Sequence, residues 1–305
     1  MRIAFVETIT KLAIKDKSVW LLTGDLGFSV FEDFANKFPD RYLNVGVAEQ
    51  NMMGIAAGLA MAGKKVFVYS ISTFSSMRAF EQIRNDICYQ NLPVCIIGGG
   101  STFSYSSFGC THFALEDIGI LRILPNMTVV NAGDPMEVEV ALDDYHKNPR
   151  PFYLRIAKRG EPVVHKNKKD IKINKATQVK EGEDISIFAS GKALQYATEA
   201  VEELKIQGIN AELLSFHTVK PLDEEAIIKS AKQTKNIITI EEHLIHGGLG
   251  TAVSEVVAQN ALATKLKCLA VADEFPAGVG SEQYMLDRYS LNKDSIIAEA
   301  KKMLS

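Results

Sequence analysis

Short apolar runs alternate with amphipathic stretches along almost the whole chain, and this alternation restricts the fold more than any other feature. Val19–Leu22, Lys65–Tyr69, Val94–Ile97, Thr128–Val130 and Phe152–Leu154 have the length and character of short buried strands. Between them, Asn51–Ala62, Ser76–Gln90, Leu115–Ile123 and Pro135–His146 carry helical spacing. Asp134 before Pro135 suits an N-cap followed by proline at the first helical position. Alternation of this kind predicts an α/β fold, a mostly parallel sheet with helices on both faces.

The pattern stops between Lys158 and Lys180, a stretch rich in Lys, Asn and Asp, and resumes at Asp184. Ile185–Ala189, Ala211–Leu214, Ile237–Ile240 and Cys268–Val271 read as strands. Ala193–Ile206, Glu224–Thr234, Thr251–Ala263 and Ser295–Met303 read as helices. The expectation is two α/β domains, residues 1–165 and 183–305, joined by a linker over 166–182. Lys166-Asn167-Lys168-Lys169-Asp170 reads as solvated linker surface.

Composition narrows the function classes. A net charge of −3 argues against nucleic acid as the main ligand, because phosphate backbones select basic surfaces. No apolar run approaches the roughly 20 residues that cross a bilayer. Met1-Arg2-Ile3-Ala4 does not open a signal peptide, so a cytoplasmic protein is expected, with no membrane partner. Cys88, Cys95, Cys110 and Cys268 form no C-x-x-C pair and read as small buried apolar residues in a reducing compartment.

Asn44-Val45-Gly46-Val47-Ala48-Glu49-Gln50-Asn51-Met52-Met53-Gly54-Ile55-Ala56-Ala57-Gly58-Leu59-Ala60 is the most informative segment. Glu49 stands where a helix of small residues begins, in apolar company. Gly54, Ala57, Gly58 and Ala60 would let another backbone approach closely. A carboxylate buried there needs a partner, or else it caps the helix and stabilises its dipole. Gly98-Gly99-Gly100 follows a strand but lacks the rest of either phosphate-loop pattern, and reads as a close turn. His243 and His246 flank a glycine-rich turn without a third ligand and read as structural.

The stretch Gly46–Ala60 resembles the glutamate motif of the transketolase family. So do, in order and spacing, Ser72-Thr73-Phe74, Arg78-Ala79-Phe80-Glu81-Gln82, Thr111-His112, Ala114-Leu115-Glu116-Asp117, Val219-Lys220-Pro221-Leu222-Asp223 and Gly247-Gly248-Leu249-Gly250. The likeness runs over nearly the whole chain and corresponds to the second half of a full-length transketolase. It implies a pyrimidine-binding domain followed by the family's C-terminal domain. It also implies that Glu49 shares a proton with a ring nitrogen of thiamine diphosphate and promotes the tautomer whose exocyclic nitrogen acts as base. Phe74, Met77 and Phe80, at i, i+3 and i+6, would form the slot for that ring.

The resemblance places further residues at the substrate end. Asp25, in Asp25-Leu26-Gly27-Phe28-Ser29, would lie near the cofactor. Arg2 and Ser29 would bind substrate phosphate, with Arg155 or Arg159 completing the site through its planar fork of donors. His112 would hydrogen-bond donor hydroxyls and assist proton transfer.

Three positions depart from the family. Ser106-Ser107-Phe108-Gly109-Cys110 replaces Gly-Glu-Asp-Gly-Pro, Gly100 stands where many members have histidine, and Phe113 replaces glutamine. They predict a more apolar site and an unusual substrate, a deoxy or nucleotide-linked sugar. The family's magnesium-binding Gly-Asp-Gly followed by asparagine is absent from the sequence. Magnesium and its ligands are therefore expected from a separate N-terminal subunit, in an α2β2 assembly. The rival readings are the β subunit of a 2-oxo acid dehydrogenase, which lacks the Ala-Glu-Gln-Asn and Ala-Leu-Glu-Asp text, and a non-catalytic scaffold subunit.

Overall fold

The computed structural model describes residues 1–158 and 160–305; Arg159 lies outside the described residues. The strands are β1 Val19–Thr23, β2 Tyr42–Asn44, β3 Lys65–Ile71, β4 Val94–Gly99, β5 Thr128–Asn131, β6 Phe152–Ile156, β7 Thr177–Lys180, β8 Ile185–Ser190, β9 Ala211–Ser215, β10 Thr218–Lys220, β11 Asn236–Leu244 and β12 Lys265–Val271. They build two sheets, in the orders β10-β5-β6-β4-β3-β1-β2 and β12-β11-β8-β9-β7. All pairings are parallel except two at sheet edges, β10 on β5 and β7 on β9. Strands β4, β6 and β8 are buried along their full length, as expected where helices cover both faces.

Each sheet has a core on either face. On the first, helices Arg2–Lys15 and Pro135–Lys147 bury Phe5, Ile9, Val138 and Leu142 on one side. Helices Glu49–Met61 and Asp117–Arg122 bury Met52, Met53, Ile118 and Leu121 on the other. The Asp134 side chain caps the 135–147 helix, accepting from the Met136 N–H, and Pro135 opens it. On the second sheet, Ala193–Ile206 and Lys293–Leu304 cover one face, Glu224–Thr234 and Leu249–Gln259 the other.

Several elements differ from the sequence expectation. Strand β10 lies in the second series yet extends the first sheet. Residues Thr177–Lys180, inside the expected linker, form edge strand β7. Helix Ser76–Gln90 is not continuous. Ser72–Ser76 is one α-turn unit, Phe80–Gln82 another, and Ile83–Cys88 a π-helix, with Ala79 between them at φ −112°, ψ 21°. Interruptions of this type mark functional segments in many helices. Gly98 and Gly99 belong to β4 rather than to a turn. A Cβ there would lie 2.2 Å from the Tyr153 hydroxyl and 2.6 Å from the Tyr69 hydroxyl.

Two sets of contacts tie the sheets together. Phe103, Phe113 and Leu115, from the loop after β4, are buried in the core of the second sheet. Burying each phenyl group contributes about 1.5–3 kcal/mol. On the opposite side, Glu137 is fully buried. It accepts from Gly133 N–H (2.7 Å), bonds His165 Nε2 (2.7 Å) and accepts from Ser215 Oγ (2.5 Å). Burial alone would lower the His165 pKa, but the hydrogen bond and charge of Glu137 outweigh it and the net direction is up.

A folded-state pKa raised above the unfolded value adds stability that is complete below the unfolded pKa and is lost as pH rises through the folded one. His165→Leu should therefore destabilise the protein by about 3 kcal/mol near pH 6, since it leaves a buried carboxylate unpaired. In urea unfolding the gap to wild type should narrow toward about pH 9 without closing, because neutral imidazole still donates a hydrogen bond. A gap that widens with pH would refute this account.

Candidate active site

In open parallel sheets, ligands bind beyond the carboxyl ends of the strands. Here those ends open the loops that carry the sequence-predicted residues. Asp25 and Ser29 follow β1, Glu49 follows β2, Phe74 follows β3, and Gly100 to His112 follow β4.

Glu49 is 0% exposed. Ser70 Oγ, near the end of β3, donates to its Oε1 at 2.8 Å, and Arg78 NH1 donates to Oε2 at 2.6 Å. The helix start is not capped by a side chain, so the carboxylate does not serve as a helix cap. Its two oxygens instead have different surroundings. One is fixed by a buried serine; the other meets an arginine whose side chain is 41% exposed. Gly24 leaves room beside the first oxygen, since a Cβ there would come within 3.4 Å of Oε1.

The broken helix redistributes the expected apolar slot. Phe74 is half-buried, with the Arg78 guanidinium 4.3 Å over its ring and the His112 ring 5.1 Å away edge-on. Met77 is 39% exposed. Phe80 packs against the core that holds Met52 and Ile83. The three residues do not form one helical stripe, because the helix ends before Phe80.

His112 sits in a 3-10 turn, Nδ1 3.0 Å from Thr111 Oγ1. Partial burial lowers its pKa, and the charge of Arg78 lowers it further. Phe108 stacks on it at 5.0 Å and 29°, and Phe108 itself is 64% exposed. Tyr105 completes an aromatic wall, 6.3 Å from His112. Sequence reasoning did not find Tyr105, although Gly100 signals it. Gly100 has φ +96°, and a Cβ on it would fall 2.5 Å from the Tyr105 ring. The phenol thus takes the room that a side chain at position 100 would need. Phe113 turns away into the second core, so its replacement of glutamine does not line the site. Cys110 is exposed beside this turn, unlike the buried Cys88 and Cys95.

Asp25 and Ser29 are both exposed and both have positive φ, 56° and 61°. Such strain costs on the order of 1–3 kcal/mol per residue and concentrates at functional loops. Asn44 holds the loop, accepting from Asp25 N–H at 3.0 Å and donating to Asp25 Oδ1 at 2.9 Å. It also accepts from Gly46 N–H at 3.0 Å, which links the loop to the approach of Glu49. Arg2 opens the first helix, and its charge acts on Tyr69 and Tyr105.

Arg155 is a correction. It is 1% exposed, and four of its five N–H donors are used inside the protein: Nε by Asn131 Oδ1 (3.0 Å), NH1 by Asp117 Oδ1 (2.9 Å) and Ala114 O (3.1 Å), NH2 by Glu242 O (2.7 Å). That is an interior tie, not a surface open to phosphate. Its alternative, Arg159, lies outside the described residues. His243 is also internal, accepting from Gly119 N–H at Nε2 (3.1 Å), while His246 is exposed.

The chain matches two family models, the pyrimidine-binding domain of transketolase over residues 1–161 and the transketolase C-terminal domain over residues 174–296. It is 39% identical to a putative transketolase C-terminal section of Methanocaldococcus jannaschii, covering 97% of this chain and 93% of the relative. It is 35% identical to a 6-deoxy-6-sulfo-D-fructose transketolase subunit from Clostridium sp. strain MSTE9, covering 98% and 93%. Among solved structures it is similar to a split-gene transketolase determined as an inactive β4 tetramer, with a TM-score of 0.92, 34% identity and coverage of 99% and 97%. The loops that gather Glu49, Phe74 and His112 at the open edge of the first sheet are thus those of a transketolase pyrimidine-binding domain, and the chain belongs to the transketolase family.

Proposed function

We propose that this chain is the C-terminal subunit of a split transketolase, which moves a two-carbon ketol unit between sugar phosphates or modified sugars. Glu49 carries the reading: a fully buried carboxylate at the open edge of the sheet, anchored on one oxygen by Ser70 and bonded on the other to Arg78, whose own side chain is exposed. The donor set fits the aminopyrimidine end of thiamine diphosphate, with one carboxyl for a ring nitrogen and the Phe74 ring for an apolar face. The coenzyme, when bound, supplies the nucleophilic carbon that accepts the ketol unit.

This chain's residues then have separate tasks. Glu49 holds a proton at the pyrimidine nitrogen. Phe74, Met77 and Phe80 exclude water from the ring, Phe80 by supporting the helix behind it. Asp25 borders the cofactor. His112, neutral at neutral pH, exchanges hydrogen bonds and protons with substrate hydroxyls. Arg2, Ser29 and Arg159 take the anionic end of the sugar. The aromatic wall of Phe108 and Tyr105 favours a substrate poorer in hydroxyls, and the similarity to a subunit named for a deoxy-sulfo sugar supports that.

The remaining parts come from a partner. An N-terminal subunit with Gly-Asp-Gly followed by asparagine would hold magnesium and the diphosphate, in an α2β2 complex. The exposed face of the 49–61 helix, with Gly54 and Gly58 open, suits a close subunit contact. Residues 166–182 would divide the two domains. Unpaired cysteines suit the cytoplasm, and among the described residues no helix is long and apolar enough to cross a membrane.

Two measurements test this reading. Mixed with its partner, the wild-type chain should transfer ketol units, and Glu49→Gln should lower kcat by about 10²–10⁴-fold with the complex intact. Unchanged turnover in that variant would remove the assignment; pyruvate decarboxylation would point to the dehydrogenase reading, and a complex with no turnover to a scaffold. Separately, histidine resonances should show His112 titrating below the ordinary value of 6.5. Arg78→Met should move that midpoint up by removing a neighbouring positive charge.

A further inference from the structure

We infer that Glu242 keeps its proton at neutral pH and, as a neutral carboxyl at the junction of the two domains, positions the loop that carries His112. The inference concerns how that loop is held and goes beyond the transketolase reading. Glu242 lies near the end of β11 and is 1% exposed. Among the described residues, neither of its carboxyl oxygens has a hydrogen-bond partner. Glu49, Glu137, Glu212 and Glu241 are as deeply buried, and each is bonded to two or more donors. An ionised carboxylate without donors is costly in a protein interior, and such a group takes up a proton instead.

The surrounding charges agree. Glu242 faces Glu282 and Lys192 from the second domain and Arg155 from the first. Lys192 Nζ already lies 2.7 Å from Glu282 Oε2, and Arg155 is paired with Asp117. Burial and the nearby carboxylates push the Tyr196 phenol up, so it adds no charge at neutral pH. With Glu242 neutral, the cations Lys192 and Arg155 balance the carboxylates Glu282 and Asp117. Ionising Glu242 adds a carboxylate that none of the cations facing it is free to pair. Burial first, and the charge of Glu282 second, accordingly push the Glu242 carboxyl up.

The same junction seats the loop after β4. Ser101 Oγ and Ser104 Oγ donate to Glu282 Oε1 at 3.4 and 3.3 Å. Thr102 Oγ1 donates to the Glu242 carbonyl, and Ser106 Oγ donates to Gly280 O at 2.7 Å. His112 follows in the same loop. A charge on Glu242 would stand against Glu282 and draw on Lys192, which loosens the two serines and the turn beyond them. A carboxyl whose folded pKa is raised gives stability that is complete below the unfolded pKa and is lost as pH rises through the folded one. The loop should therefore loosen on the alkaline side.

The test uses the full chain and two readouts. Infrared difference spectra between wild type and Glu242→Gln, taken at neutral pH, should contain the carbonyl band of a protonated carboxyl, and in wild type that band should fade as pH rises. Glu282→Gln should move the fading to lower pH, because a neighbouring negative charge is gone. Hydrogen exchange, corrected for its intrinsic pH dependence, supplies the second readout. Peptides covering residues 101–112 should lose about tenfold in protection between about pH 6 and about pH 9 in wild type, and about twofold or less in Glu242→Gln, which mimics the protonated form. Helix Glu224–Thr234, on the other face of the second sheet, is the control and should respond alike in both proteins. A spectrum with no protonated-carboxyl band lost in Glu242→Gln, or the same pH dependence of exchange in both proteins, would overturn the proposal. If the glutamine variant at 242 folds poorly, wild type and Glu282→Gln decide it between them, since identical band titrations in the two also overturn it. Neither readout needs turnover, so the result stands apart from the transketolase reading.

Discussion

The buried guanidinium of Arg155 holds the candidate-site end of the first sheet in place. It projects from β6 and bonds side chains or carbonyls on β5, on the segment after His112 and on β11 of the second sheet. Removing one member of such a buried pair costs about 3–5 kcal/mol, because the other charge is stranded. Asp117 is the matching charge and also accepts from the Tyr153 hydroxyl. The loop that carries Phe108 and His112 is therefore strung between two fixed points. Its early part is pinned by Phe103 in the second core, its late part by Arg155 and Asp117. Through these two anchors the second sheet helps to decide where His112 stands.

The first sheet supplies the other half of the arrangement. Parallel strands end together, so residues distant in sequence arrive at one edge without long side chains having to reach. Glu49 needs only the short β2 strand and a glycine before it to meet Ser70 at the end of β3. Asn44 ties the loop after β1 to the segment before Glu49 by serving two groups of Asp25 and the Gly46 N–H at once. Rigid placement of this kind lets a carboxylate remain buried with one oxygen on a buried serine and the other on an exposed arginine, an asymmetry that a flexible loop could not maintain.

How much of this was legible follows from which forces are local. Runs such as Val94–Ile97 and Ile185–Ala189 are buried on both faces, and their composition alone marks them as central strands. Edge strands β2, β7 and β10 lack that signature. The first two are exposed or half-exposed, and β10 is specified by a partner strand some 90 residues away. The break after Ser76 has no glycine or proline to announce it. It falls beside Arg78, whose side chain bonds Glu49, a contact between separate parts of the chain. The same limit applies to Arg155: its sequence context is that of a strand end near a basic cluster, and only the assembled interior shows that most of its donors are taken. The burial of Glu49 was legible because its neighbours in sequence are small and apolar, whereas the approach of the His112 ring to Phe74 depends on how separate loops meet.

Gly100 and Tyr105 illustrate why single positions mislead. Taken alone, glycine at 100 reads as a lost contact and a gap in the site. In the structure the gap is filled, because the positive φ and the missing Cβ admit a phenol ring from five residues later in the same loop's next turn. A histidine at 100 would collide with that ring, so the two residues form one exchange rather than a deletion. The exchange replaces a polar contact with an aromatic surface, and Phe108 extends that surface over His112. Positive charge is set beside it by Arg78, whose guanidinium lies 4.3 Å over the Phe74 ring, and by Lys158 on the Tyr105 ring. For the transketolase function proposed above, this exchange would shift selectivity at this end of the site from counting hydroxyls to matching an apolar carbon chain.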